Sequence, residues 1–424
     1  MKYKRISISA VIVLVLLASW LIQREARSLE SEKIIFKDSI VAGGPKHFME
    51  VQHVVLKGTN FDIGKKLGEI ARKENIELIK PSSPFNTRIR RSYFMKSYPS
   101  HFERMKGIAE AYGKKIDDDS FDFSALPQSH MNFGCSSVFF PGKFTENGHG
   151  ILSRNFDFTT GTMQGKKPQG NERPVLLRPF IFEIYPDRGY PSLFVCAFDL
   201  AGGVLDGINS EGLTVAVLAE EESTEKTGGE PSLEDEVGLH ELLVMRYLLD
   251  NCKNVEEAKE ALLSLKQYYA FAPLHYIIAD RHGRSFVFEF SPARNRSLII
   301  DGEGPQCITN HLVSRYKSIE ELPGKDEPKG SHNSFHRYRV LSETIRSKDK
   351  FSLEEIGSII DGVAVSAKPF VHPVYAPART IWRSIYDAES RTLEIDFYLG
   401  EELLADNKDF VHIKRSGALK FQLR

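Results

Sequence analysis

The chain changes its hydrophobic period at Gly134, and no other feature limits its fold as strongly. Upstream, Phe61 to Lys80 and Tyr98 to Tyr112 place apolar residues three and four apart, the spacing of one helix face. Downstream come short β-branched and aromatic runs, among them Ile151 to Phe158, Leu193 to Leu200 and Leu213 to Ala219. Polar turn residues between apolar strands predict two hairpins, one across Arg281 to Arg284 and one across Asp387 to Arg391. Helices are interleaved at Leu239 to Asp250, Val255 to Leu265 with Asn254 as N-cap, Ser334 to Ser347, and Leu353 to Ile360, the last opened by a Ser352/Glu355 capping box. Strand runs separated by helices predict α+β layers instead of repeated βαβ units. The polar, Gly-rich stretch Thr159 to Arg173 reads as a loop, either a lid or a surface insertion.

With 56 basic and 57 acidic residues among 424 and no basic stripe, nothing drives counterion release from a nucleic-acid backbone. A small molecule is the expected partner. Lys2, Lys4 and Arg5 precede an apolar run from Ile6 to Ile22. As a helix that run measures roughly 25 Å, a little short of the ~30 Å hydrocarbon core. It predicts a signal peptide or an uncleaved anchor, with the remainder exported to a periplasmic or other extracytoplasmic space. The four cysteines, Cys135, Cys196, Cys252 and Cys307, form no CxxC pair and no zinc spacing, and they predict no particular disulfide. Cys196 lies within an apolar strand and reads as a core residue.

The stretch from Gly134 to Phe158 carries the chemistry. A strand beginning at Cys135, turns at Pro141-Gly142 and Glu146-Asn147-Gly148, and a return strand through Arg154 and Asp157 would make a hairpin, its pairing bringing guanidinium and carboxylate near the thiol. Arginine lowers a nearby thiol pKa, and a carboxylate can orient an amine. Cutting the Gly134–Cys135 bond would give Cys135 a free α-amine of pKa around 7.7, a base carried by the nucleophile's own residue. Gly134 suits such a cut because it tolerates strained backbone. A core cysteine beside a structural ion pair is the competing reading of the hairpin alone.

The sequence resembles the N-terminal-nucleophile amide hydrolases of the choloylglycine hydrolase and penicillin acyl-coenzyme A acyltransferase type, related also to acid ceramidase. The resemblance rests on Cys135 followed by Arg154-Asn155-Phe156-Asp157-Phe158, then in order Gly207-Ile208-Asn209-Ser210-Glu211-Gly212-Leu213, Thr309-Asn310 and Ser334-Phe335-His336-Arg337-Tyr338. Upstream, Gly58 to Gly64 with Gly68-Glu69 is similar to the acyltransferase branch's prosegment.

The resemblance implies a four-layer αββα sandwich, with 1–27 as signal segment, 28–134 as a helical prosegment and 135–424 as the catalytic domain. It implies Cys135 as the processed nucleophile, Arg154 beside its sulfur and Asp157 bonding the new amine. It further implies Asn209 and Asn310 as oxyanion donors and Arg337 as an electrostatic brace, a role for which Arg339, Arg379 and Arg383 compete. The reaction would pass through a thioester to water, or to an amine in an acyltransferase; an uncut binding protein on the same fold is the reading from a different class. No metal or organic cofactor is implied, and the N-terminal fragment is expected to stay bound as a subunit. Apolar Phe139, Phe140, Phe156, Phe158 and Met163, with Lys166 and Lys167 on the loop, predict an N-acyl amide substrate with a medium or long acyl chain.

Overall fold

The computed structural model describes residues 35–128, 134–162, 166–169, 172, 174, 178–220, 222, 236–291, 296–324, 333–365, 373–404 and 410–424. The Ile6–Ile22 run, Met163 and Arg173 lie outside the described residues. Among those described, no helix is long and apolar enough to cross a membrane.

Two sheets form the middle of the molecule. The first has nine strands in the spatial order Ile35–Gly43, Glu50–Gly58, Phe180–Pro186, Ser192–Cys196, Asp206–Asn209, Thr214–Ala219, Leu274–Ala279, Ser285–Ser291 and Arg296–Asp301. The second runs Gln306–Ile308, Gly134–Phe140, Ile151–Thr159, Ala378–Asp387, Thr392–Leu403 and Val411–Arg415, with Leu419–Gln422 also paired to Thr392–Leu403. Strands at the centre of both sheets are buried along their whole length, because helices cover the outer faces while the inner faces meet. Helices Glu241–Asn251 and Val255–Ser264 lie on the first sheet, Ser334–Thr344 and Leu353–Asp361 on the second, giving the α+β sandwich of four layers.

Local chemistry accounts for the element ends. Asn254 accepts a hydrogen bond from the Glu257 N–H, and Ser352 and Glu355 make both bonds of a capping box. Both predicted hairpins are present, Leu274–Ala279 with Ser285–Ser291 and Ala378–Asp387 with Thr392–Leu403.

The segment before Gly134, expected to be helical, is not purely so. Helices Asn60–Lys73, Pro84–Ser97 and Pro99–Ala111 are accompanied by the strands Ile35–Gly43 and Glu50–Gly58, and the latter pairs in parallel with Phe180–Pro186. Val51, Val54 and Leu56 are buried, so this segment extends the first sheet and shares its core. Asn60–Lys73 and Pro99–Ala111 cross backbone to backbone: a Cβ on Gly64 would stand 2.0 Å from the Arg104 carbonyl oxygen, and one on Gly107 2.0 Å from that of Phe61. Glycine at these positions is what lets the two helices touch.

Candidate active site

Gly134–Phe140 and Ile151–Thr159 form the expected hairpin, in a register that sets Gly134 opposite Asp157, Cys135 opposite Phe156 and Ser137 opposite Arg154. Side chains alternate across a strand, so Cys135, Arg154 and Phe156 share the inner face while Asn155 and Asp157 share the outer. On the other side, Gln306–Ile308 pairs with Gly134–Phe140, Ile308 opposite Ser137. Continuing that register by two residues brings Asn310 level with Cys135.

Cys135 is fully buried, and Arg154 Nη2 stands 3.2 Å from its Sγ. The same guanidinium donates to the Val217 carbonyl at 2.7 Å and, through Nη1, to Asp206 at 2.5 Å. Arg154 and Asp206 are both buried, and Asp206 also accepts from the Trp382 indole N–H at 3.1 Å and the Tyr386 hydroxyl at 2.8 Å. A buried pair of this kind is costly unless its remaining hydrogen-bonding capacity is met, and here Val217, Trp382 and Tyr386 meet most of it, while Arg154 Nε has no hydrogen-bond partner. Phe156 stacks on Trp382 at 3.9 Å between centroids, fixing the floor under the guanidinium. Burial pushes the Cys135 thiol up to about 11, against the opposing pull of Arg154. At neutral pH the sulfur is therefore protonated and needs a base.

The Cys135 N–H donates to Asn310 Oδ1 at 2.8 Å. That oxygen also receives Arg337 Nη2 at 2.7 Å, while Asn310 Nδ2 donates to the Ala219 carbonyl at 2.8 Å. Three contacts thus fix which end of the amide faces Cys135, and it is the acceptor end. Asn310 belongs to the site, but in this uncut chain it holds the nitrogen of Cys135 instead of presenting an oxyanion donor. Arg337 Nη1 reaches the Cys135 carbonyl and, at 2.6 Å, Ser136 Oγ. Its competitors are engaged elsewhere: Arg339 with the Leu322 carbonyl, Arg379 with Glu401, Arg383 with Asp396.

Asp157 is buried and pairs opposite Gly134. A register shift between Thr380 and Trp382 turns Thr380 toward it, and the Thr380 hydroxyl donates to Oδ1 at 2.6 Å. Oδ2 has no hydrogen-bond partner, and burial raises the carboxyl above its ordinary pKa even though Arg337 and Thr380 pull it down.

The structure does not bring Asn209 to the site. Its Nδ2 donates to the Leu249 and Cys252 carbonyls at 3.1 and 2.7 Å, and its Oδ1 accepts from the Glu211 and Leu213 N–H groups. In the strand Asp206–Asn209 the period of two sends Asp206 inward to Arg154 and Asn209 outward to the helix Glu241–Asn251. The residue missed in this motif was thus Asp206, a lone carboxylate following the apolar pair Val204-Leu205. Thr380 and Ser334 were also missed as individual site residues.

Of the aromatic residues expected near the site, Phe139, Phe156 and Phe158 belong to the core between the sheets. Phe140 does not: it packs on the opposite face with Phe351, Leu341 and Ile356, beneath the helices. Lys166 and Lys167 are exposed, and the Lys167 N–H is tied to the Val374 carbonyl at 2.8 Å. All four cysteines are free and buried, and no cluster of metal-ligating side chains occurs among the described residues.

The model of the acyl-coenzyme A:6-aminopenicillanic acid acyl-transferase family matches residues 144–401, a span that contains Arg154, Asp157, Asn310 and Arg337 and begins after Cys135. No curated protein matches the sequence. Among solved structures, the chain is similar to a conjugated bile acid hydrolase from Clostridium perfringens, with 19% identity, 66% of this chain and 96% of that one covered, and a TM-score of 0.44. A penicillin V acylase from Agrobacterium tumefaciens gives 19% identity, 62% and 83% coverage and a TM-score of 0.42. A Caenorhabditis elegans ortholog of N-acylethanolamine-hydrolyzing acid amidase gives 13%, 66% and 100%, and 0.38.

Proposed function

The chain belongs to the acyl-coenzyme A:6-aminopenicillanic acid acyl-transferase family, and we propose that it is an N-terminal-nucleophile amide hydrolase, exported as a precursor, that cuts itself before Cys135 and then cleaves linear N-acyl amides through a thioester on that residue. The observation that carries this reading is the double hold on Cys135: Arg154 at its sulfur and Asn310 at its nitrogen, within one buried site. A buried structural cysteine needs an acceptor for its N–H but no guanidinium at its sulfur.

In self-cleavage the Cys135 sulfur attacks the Gly134 carbonyl carbon. The C–N bond breaks, the nitrogen keeps its proton and gains the one from the thiol, and a thioester joins Gly134 to Sγ. Water then releases the Gly134 carboxylate and the free thiol. The nitrogen that Asn310 holds is now an amine, of ordinary pKa around 7.7, and it supplies the base that a thiol raised to about 11 requires. Asp157, paired opposite Gly134 and with one oxygen unpartnered, supports its reading as the acceptor for that amine. For the substrate the same sulfur attacks the acyl carbon, the amine leaves with a proton, and water or an acceptor amine takes the acyl group. The acyl-transferase description of the family favours testing acceptors directly.

Substrate choice is tested by kcat/KM over a chain-length series of N-acyl amides, with and without an added amine. Rising values with chain length fit an apolar acyl site, at roughly 0.8 kcal/mol per buried methylene. A flat profile, or a preference for acetyl, contradicts the substrate class. Export is supported by the basic flank and apolar run at residues 2–22; a precursor that remains on the side of synthesis contradicts it.

A further inference from the structure

We propose that Ser334 is a positioning residue that sets Asn310 against the nitrogen of Cys135, an assignment that rests on the function proposed above. Ser334 opens the helix Ser334–Thr344, directly after Asn333 in the left-handed region at φ 58°. Its side chain is fully buried. The hydroxyl oxygen accepts the Asn310 backbone N–H at 2.8 Å and lies 2.9 Å from His311 Nδ1 and 2.9 Å from Thr309 Oγ1. Burial, reinforced by His275, pushes His311 down to about 3, so its ring is neutral. With the ring neutral, one of the Ser334 hydroxyl and His311 Nδ1 donates and the other accepts. Thr309 Oγ1 in turn donates to the Ser334 carbonyl at 3.1 Å. The single hydroxyl thus accepts the Asn310 backbone N–H and also contacts both residues that flank it, Thr309 and His311.

Arg337 follows Ser334 by three residues, one helical turn on, and so lies on the same face. It holds the Asn310 side-chain oxygen that faces Cys135. One helix end therefore fixes Asn310 twice, at the backbone through Ser334 and at the amide through Arg337. From the other side His275, on the first sheet, bonds the Thr309 carbonyl at 2.6 Å. With the Ser334 contact gone, the Thr309-Asn310 turn keeps its carbonyl anchor and loses its amide anchor, which lets the Asn310 backbone shift relative to Cys135 while Arg337 and Ala219 still hold its side chain.

The test is a double-mutant cycle on purified full-length protein, using the amide of the chain-length series that wild type turns over fastest. Ser334→Ala should lower kcat roughly tenfold with KM nearly unchanged, the loss of one buried hydrogen bond acting on the reacting geometry. In an Asn310→Ala background the same change should have no further effect, because the residue it positions is absent. Ser334→Cys, nearly isosteric and a weak hydrogen-bond partner, should fall between Ser334→Ala and wild type. Wild-type kcat in Ser334→Ala or Ser334→Cys, or losses that multiply with Asn310→Ala, overturn the assignment while leaving the function standing. A wild type that neither cleaves nor turns over any amide rejects the function and this assignment with it.

Discussion

Cys135, Arg154 and Asp157 were legible in the sequence because they sit on one hairpin, where a turn and a period of two fix which residues meet. Asn209 and Asp206 show where that legibility ends. Three residues apart on one strand, they face opposite sides of the first sheet, and only the layer above and below decides which side holds the chemistry. Asn209→Ala therefore strips two carbonyls of the Leu249–Cys252 region of their donor and should lower stability by about 1–3 kcal/mol, read from denaturant midpoints, while kcat of the folded enzyme stays within twofold or so. Asn310→Ala has the opposite signature. It removes the group that holds the nucleophile's nitrogen, and turnover should fall roughly 100-fold, the scale on which a misplaced base is felt. Equal effects of the two substitutions on kcat would contradict the placement of these residues.

At the scale of elements, most helices with clear amphipathic spacing or a capping signal were predicted to within a few residues, but the one expected over Phe61 to Lys80 ends at Lys73, and the helix Pro84–Ser97 and the strands Ile35–Gly43 and Glu50–Gly58 were not foreseen. Glu50–Gly58 pairs with Phe180–Pro186, whose partner positions lie more than a hundred residues further along the chain, and no local pattern announces so distant a neighbour. The crossing of Asn60–Lys73 and Pro99–Ala111 was equally hidden, since Gly64 and Gly107 act through a contact between helices. Gly107→Ala puts a methyl into the backbone of the facing helix; the change should cost about 1–3 kcal/mol by overpacking and should slow self-cleavage by loosening the segment that precedes Gly134. Unfolding midpoints and a time course of cleavage measure the two effects. Unchanged values in both would show that the helices do not touch there.

For the molecule as a whole, the N-terminal segment is joined to the catalytic layers by a shared sheet and by buried ion pairs such as Arg104 with Asp250, 2.6 Å apart. His101 lies in the same region, its ring stacked on Tyr98, and burial, aided by Arg104, pushes its pKa down to about 4. The unfolded chain, with an ordinary value near 6.5, binds a proton there that the folded chain refuses. Stability contributed by the neutral ring is thus complete above about pH 6.5 and is lost as the pH falls toward 4. Asp157 and Glu241, both raised by burial, act with the opposite sign above the ordinary carboxylate range. The clean measurement is a difference: between pH 4 and 6.5, Cys135→Ala protein carrying His101→Gln should show a pH slope of unfolding free energy smaller by up to one proton, about 1.4 kcal/mol per pH unit, than Cys135→Ala alone. Identical slopes would mean that His101 titrates normally in the folded chain.

The base proposed for Cys135 does not exist until the bond before it is cut, so intact mass spectrometry of purified, active protein tests the account most directly. It should show two pieces, the larger beginning at Cys135 and containing 290 residues, 424 minus 134, while Cys135→Ala shows no break at that bond. Active wild-type protein with the Gly134–Cys135 bond intact would contradict the mechanism.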